Sequence, residues 1–167
     1  MEKARPDGGL RRVRLERFPV DLWTRADAET RDLMREFVLM TIDHDHAVPR
    51  QLLQIVSELQ ERYGAISSDQ TARLERARQA GQQTIDELVY EVPAGIAGDI
   101  RRLGEILDQA DEYCRRGEHL LSLASSPGAK AFRDWFLDEF THQLGGAEPT
   151  PWPESRQARE LANAASP

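Results

Sequence analysis

The sequence predicts an all-α fold: a single antiparallel bundle of about five helices, with an extended N-terminal segment and a Pro/Trp-containing C-terminal tail. Three observations predict it. Apolar residues recur at threes and fours along most of the chain. The segments between those runs are short and carry Pro, Gly, Ser or Asp, and short connections favour antiparallel neighbours. The composition, 167 residues of which 40% are hydrophobic and 31% charged, suits one soluble domain with a wetted surface. No stretch approaches ~20 consecutive apolar residues, so no membrane span is expected.

Each element follows from local spacing. Residues 1–9, with Pro6, Gly8 and Gly9, read as a flexible arm. Residues 10–19 alternate, with Leu10, Val13, Leu15 and Phe18 set among Arg11, Arg12, Arg14, Glu16 and Arg17. One extended segment laid over an apolar surface fits them. A lone strand has no partner here, so no sheet is expected. Pro19 and Asp21 open a first helix, to about Ile42, carrying Leu22, Ala26, Leu33, Phe37 and Val38. Pro49 marks the first position of a second helix, because its missing N–H is harmless there; Leu52, Leu53, Val56 and Leu59 form its stripe and Gly64 ends it.

Ser67 followed by Gln70 has the spacing of a capping box, and a third helix is expected from about Ser68 to Tyr90. A fourth helix is expected from Pro93 toward Leu123. Roughly 30 residues at ~1.5 Å each make it ~45 Å long, with Gly117 as the point for a bend. Ser126 and Pro127 supply a cap and first position for a fifth helix. That helix holds Phe132, Trp135, Phe136 and Phe140, and Gly145 and Gly146 stop it. The domain plan is therefore an arm (1–9), a helical bundle (10–146) and a Pro-rich tail (147–167), in which Arg156 to Ala164 could form at most a loose amphipathic turn.

Charge narrows the partners. The chain carries 22 basic and 29 acidic residues, net -7, which disfavours a role that depends on neutralising phosphates; no nucleic-acid partner is expected. The charge is unevenly placed: residues 1–17 carry +3 and the remaining 150 carry -10. Lys occurs only at Lys3 and Lys130, and this Arg-rich usage fits a GC-rich bacterial source. The charged N-terminus lacks the apolar core of a signal peptide, and a single cysteine, Cys114, allows no intramolecular disulfide; both favour a cytoplasmic protein.

The chemistry-bearing residues are few. His44-Asp45-His46 could offer two imidazoles and a carboxylate to zinc or iron, yet no further ligand lies nearby in sequence, and no metal centre or cofactor is assigned. The fourth helix places Asp111, Cys114 and Glu118 on one face but lacks the Glu-x-x-His spacing of di-iron bundles. His119-Leu120-Leu121 resembles the start of a histidine phosphotransfer motif and departs from it afterwards, without the lysine that would neutralise a phosphoryl group. Arg73, Arg76 and Arg78 suggest half of a helix-turn-helix, but the recognition segment Thr84–Leu88 carries two acids that would repel DNA. Acidic neighbours make Cys114 an inert thiol. Trp152 sits in the stiff strip Pro149-Thr150-Pro151-Trp152-Pro153, suited to docking on the bundle or on a second chain.

The runs VRLERFPVDLWTRADAETRDLMREFVLM and DEYCRRGEHLLSLASSPGAKAFRDWFLDEF, with TPWP, resemble a family of small all-helical proteins of actinobacteria, over Val13 to Pro153. That resemblance implies an association with partner switching, in which anti-sigma kinases, STAS-domain antagonists and PP2C-type phosphatases regulate one another. It transfers no catalytic residue, and neither a kinase ATP motif nor a phosphatase metal motif is present. The expected function is a non-enzymatic signalling or adaptor module, in bacterial stress or sigma-factor regulation. It would bind a regulatory protein through Arg11, Arg12, Arg14, Arg17 and Trp152, and a homodimer is a further expectation. The alternative is a ligand- or metal-sensing bundle with a pocket at Asp111, Cys114, Glu118, His119 and Trp135. A second alternative is a phosphotransfer protein using His119.

Overall fold

The computed structural model describes residues 9–43, 47–116 and 124–166. The elements are β1 (Leu10–Pro19), α1 (Val20–Asp43), α2 (Ala47–Tyr63), α3 (Ser68–Gln79), β2 (Thr84–Pro93), α4 (Ile96–Arg116), α5 (Pro127–Leu144) and α6 (Arg156–Ala164), with single 3-10 turns at Gly64–Ile66 and Trp152–Glu154.

The all-α expectation is corrected on two counts. Among the described residues there are six helices rather than five, and there is a two-stranded antiparallel sheet, β1 with β2. The expected third helix stops at Gln79. Its end is closed by Gly81, at φ 71, whose N–H donates to the Arg78 carbonyl, and by Gln82, whose N–H donates to the Ala77 carbonyl. Glycine takes that left-handed conformation without a Cβ clash. The chain then extends, and its apolar residues from Ile85 to Val92 pair with the alternating segment at the N-terminus. The register puts Val13 opposite Tyr90, Leu15 opposite Leu88 and Phe18 opposite Ile85. The sixth helix, α6, lies in the expected tail. Ser155 caps it by accepting from the Ala158 N–H at 3.1 Å. Helices α1, α2 and α5 fall where the periodicity places them, and α4 starts at Ile96, three residues after the expected Pro93, and is described as far as Arg116. Residues 117–123, with Gly117, lie outside the described residues.

The ribbon changes its buried face partway along. Val13, Leu15, Leu88, Tyr90 and Val92 are buried on one parity, Phe18 and Ile85 on the other. Arg17 sits at the switch with φ 51.

The core is divided. One cluster joins the sheet, α3, the start of α4 and α5 through Phe18, Leu88, Tyr90, Phe132, Trp135 and Phe140. The other joins the second half of α1, α2 and the second half of α4 through Leu33, Phe37, Leu52, Ile55, Ile106 and Ala110. Polar braces tie the first cluster. Gln143 of α5 reads the β1 backbone from the side, accepting from the Arg14 N–H at 2.9 Å and donating to the Arg14 carbonyl at 2.7 Å. This satisfies groups that an edge strand would leave open. Glu139, 3% exposed, accepts from Gln143 at 2.7 Å and from the Thr150 N–H at 3.0 Å. Trp135 donates its indole N–H to the Thr150 carbonyl at 2.9 Å.

Candidate functional site

Where the two clusters meet, a cleft open to solvent is left between them. A cavity of about 450 Å³ lies among α1, α2, α3, β2, α4 and α5. Each surrounding helix lends one stripe at helical spacing. From α5 come Phe132, Phe136 and Phe140; from α4 come Ile96, Ile100, Leu103 and Leu107; from α1 and α2 come Trp23, Ala26, Val56 and Leu59; from β2 come Tyr90 and Val92. The polar rim is formed by Asp27, Thr30, Gln60, Ser67 and Thr71, of which Thr30, Gln60 and Thr71 are exposed.

Magnitudes say what kind of space this is. Core cavities cost about 24 cal/mol per Å³, so a sealed apolar void of this volume would cost on the order of 10 kcal/mol, comparable with the whole stability of a small domain. A rim open to solvent removes the need to seal it, and the volume lies within the ~300–1,000 Å³ range of small-molecule pockets, which are apolar with a few placed polar groups.

The polar groups at the wall are constrained. The Arg133 guanidinium donates to Asp111 at 2.9 Å and to Asp108 at 2.7 Å. The Tyr63 hydroxyl donates to Asp99 at 3.0 Å; burial and that carboxylate together raise its pKa. Burial alone pushes the Tyr90 phenol well above its ordinary range, so it stays neutral. Asp27 at the rim is paired with Arg31.

Of the residues expected to form a pocket, Asp111, Cys114 and Trp135 do not line this cavity. Asp111 and Cys114 belong to the far half of α4 and are buried. Burial raises the Asp111 carboxyl, but bonds from the Ser125 N–H (3.0 Å) and hydroxyl (2.8 Å), with Arg133, hold it below its ordinary value. Cys114 is pushed up to about 11 by burial, with Asp111 and Glu36 adding to it; such a thiol carries almost no thiolate at neutral pH. Trp135 is packed in the first cluster beside Trp152, ring centroids 5.5 Å apart. Glu118, His119 and the His44-Asp45-His46 segment lie outside the described residues.

Among the residues expected to meet a partner, Trp152 packs edge-on against Trp135 and lies 6.5 Å from Phe132. The Pro-rich strip thus docks on the chain's own α5. Arg12 pairs with Glu91 at 3.6 Å, and Arg14 lies 3.7 Å from both Glu16 and Glu87. Arg11 and Arg17 are exposed.

The sequence offers, as its alternative, a pocket between the aromatics of the fifth helix and the polar face of the fourth; the cavity is walled by Phe132, Phe136 and Phe140, but by the apolar Ile96, Ile100, Leu103 and Leu107 of α4 instead. Tyr90 is not foreseen there, because the sequence places it at a helix end. Among the described residues no group of three or more His, Cys, Asp or Glu could hold a metal ion, and no described helix is long and apolar enough to cross a membrane. Comparison of the chain with protein-family models, with curated proteins and with solved structures finds no match to any of them.

Proposed function

We propose that the protein is a non-enzymatic sensory module that binds a small apolar molecule in the cavity between its two core clusters. The observation that carries this reading is the 450 Å³ space, walled by aromatic and aliphatic side chains and rimmed by exposed polar ones. A ligand there would touch α1, α2, α4 and α5 at once, and so would couple the two halves of the molecule. The test is fluorescence titration with N-phenyl-1-naphthylamine, an uncharged dye that brightens in apolar surroundings. Saturable binding of one dye per chain is expected. It should be lost in Val56→Trp, which fills the space, while the circular dichroism stays unchanged. No saturable signal, or equal binding by the filled variant, overturns the reading.

A second reading, an adaptor that binds a regulatory protein, is favoured by one feature. Val38, Leu39 and Ile42 near the end of α1 are 47%, 60% and 75% exposed, an apolar face of the kind that serves protein contacts. Such a role is what the resemblance to the small actinobacterial helical proteins associated with partner switching implies, and the charged N-terminus and single cysteine fit a cytoplasmic setting for it. Loss of partner capture or of self-association in Leu39→Glu with Ile42→Glu would support it.

A further inference from the structure

Among the described residues, the Tyr90 hydroxyl in the wall of the cavity has no hydrogen-bond partner. Tyr90 is 7% exposed and lines the space. Its ring is held edge-on by Phe136 at 6.0 Å and Phe140 at 5.3 Å, which fixes where the hydroxyl stands. Among the described residues none hydrogen-bonds that hydroxyl. The polar side-chain atoms sealed without a partner among the described residues are Gln70 Oε1 and Arg133 Nε; the Tyr90 oxygen is not one of them and so keeps some accessible surface, on a residue that lines the cavity. Buried tyrosine hydroxyls ordinarily find a partner, because an unmade hydrogen bond in an apolar setting is costly.

The surroundings also limit the charge of an occupant. Arg133 is the cation at the inner wall, and its guanidinium is already engaged by Asp108 and Asp111. Asp27 at the rim is engaged by Arg31. A charged ligand group would be buried without compensation.

We propose that the cavity takes an uncharged, mainly apolar molecule bearing a carbonyl or ether oxygen, and that the Tyr90 hydroxyl donates to that oxygen. This rests on the ligand-binding reading and specifies its chemistry. Tyr90 is then the residue that selects an oxygenated ligand over a hydrocarbon of the same shape, while Phe132, Phe136 and Leu103 accept the apolar body.

The test uses 2-acetylnaphthalene and 2-ethylnaphthalene, which differ by a carbonyl oxygen, as competitors of N-phenyl-1-naphthylamine on the full chain and on Tyr90→Phe. The variant keeps the ring and removes only the hydroxyl. The ratio of ketone to hydrocarbon affinity is expected to fall about tenfold in Tyr90→Phe, the size of one hydrogen bond, with hydrocarbon binding unchanged. An unchanged ratio while both compounds displace the dye overturns the role of Tyr90 and leaves the ligand-binding reading standing. Dye binding that neither compound displaces also overturns it. No dye binding in either protein removes the ligand-binding reading, and this inference with it.

Discussion

The two ends of the molecule are held together differently. At the sheet end, β1 and β2 come from residues some seventy positions apart, and α5 secures them with directed interactions. Gln143 bonds the Arg14 backbone, Glu139 and Trp135 hold Thr150, and Phe18 meets Phe132 edge-on at 5.4 Å. At the other end, among the described residues, the second halves of α1 and α4 pack with α2 mainly through aliphatic contacts, with Phe37 edge-on to Tyr113 at 6.1 Å, and Asp111 is bonded there by Ser125 and Arg133. That end leaves Leu39 and Ile42 in solvent. The contrast teaches where a cavity can persist. A wall fixed by hydrogen bonds and interlocked rings does not collapse into an adjacent space, whereas an aliphatic helix face adjusts to what lies against it. The cavity sits between one wall of each kind.

The largest expected effect is at the braced end. Trp135→Ala removes a ring that is 1% exposed, together with its bond to Thr150. It should cost about 4 kcal/mol in urea unfolding and release the Trp152 strip, read as a rise in proteolysis near Pro149. A cost below about 2 kcal/mol would mean that the sheet end is not the braced one. Leu52→Ala at the aliphatic end, where relaxation is easier, should cost less, about 3 kcal/mol.

Next is the pair that links α4 to α5. Asp111→Asn leaves Arg133, whose side chain is 13% exposed, short of its buried counter-charge, and should cost about 3 kcal/mol at pH 7. The sign of the pH dependence follows from the lowered carboxyl. Its stabilisation is fully present above about pH 4, the ordinary Asp value, and is lost as pH falls through the lower folded value. Wild-type stability should therefore drop below about pH 4 more steeply than that of Asp111→Asn, measured by urea midpoints across the acid range. Parallel curves would remove Asp111 from the account.

Smaller effects sharpen the comparison. Ser155→Ala, which deletes the α6 cap, should cost about 1 kcal/mol. Arg17→Gly acts in the opposite direction. Arg17 holds φ 51 where the ribbon changes face, a conformation that costs a side-chain-bearing residue about 1–2 kcal/mol. The glycine variant should gain up to about 1 kcal/mol; a loss would show that the arginine side chain contributes more than its backbone strain removes.

What was legible in the sequence depended on whether the deciding interaction was local. Helices α1, α2 and α5 announced themselves through apolar spacing and through Pro49, Ser126 and Pro127, whose effects lie within one turn. β1 was recognised as extended, but its partner lay too far along the chain to be seen. β2 was hidden by its own change of face: Ile85 and Leu88 stand three apart, a helical spacing, because alternation breaks at Asp86 and Glu87. The stiff Pro-rich setting of Trp152 marks a docking strip but not its surface, the chain's own bundle or a partner. A pocket against the helix-five aromatics is open to the sequence as an alternative, but what faces them is not, since Phe132, Phe136 and Phe140 have the same spacing whatever stands before them. Nor could the pattern reveal that Tyr90 lacks a partner, which depends on helices met from elsewhere in the chain.

The proposal that the seam between the two clusters is a ligand site is open to diffraction from crystals soaked in 1-bromonaphthalene, through the anomalous signal of bromine. A single strong peak is expected inside the cavity, walled by Leu103, Phe132 and Phe136. A cavity closed by its own side chains, or bromine found only on the exposed face of Val38, Leu39 and Ile42, would contradict it.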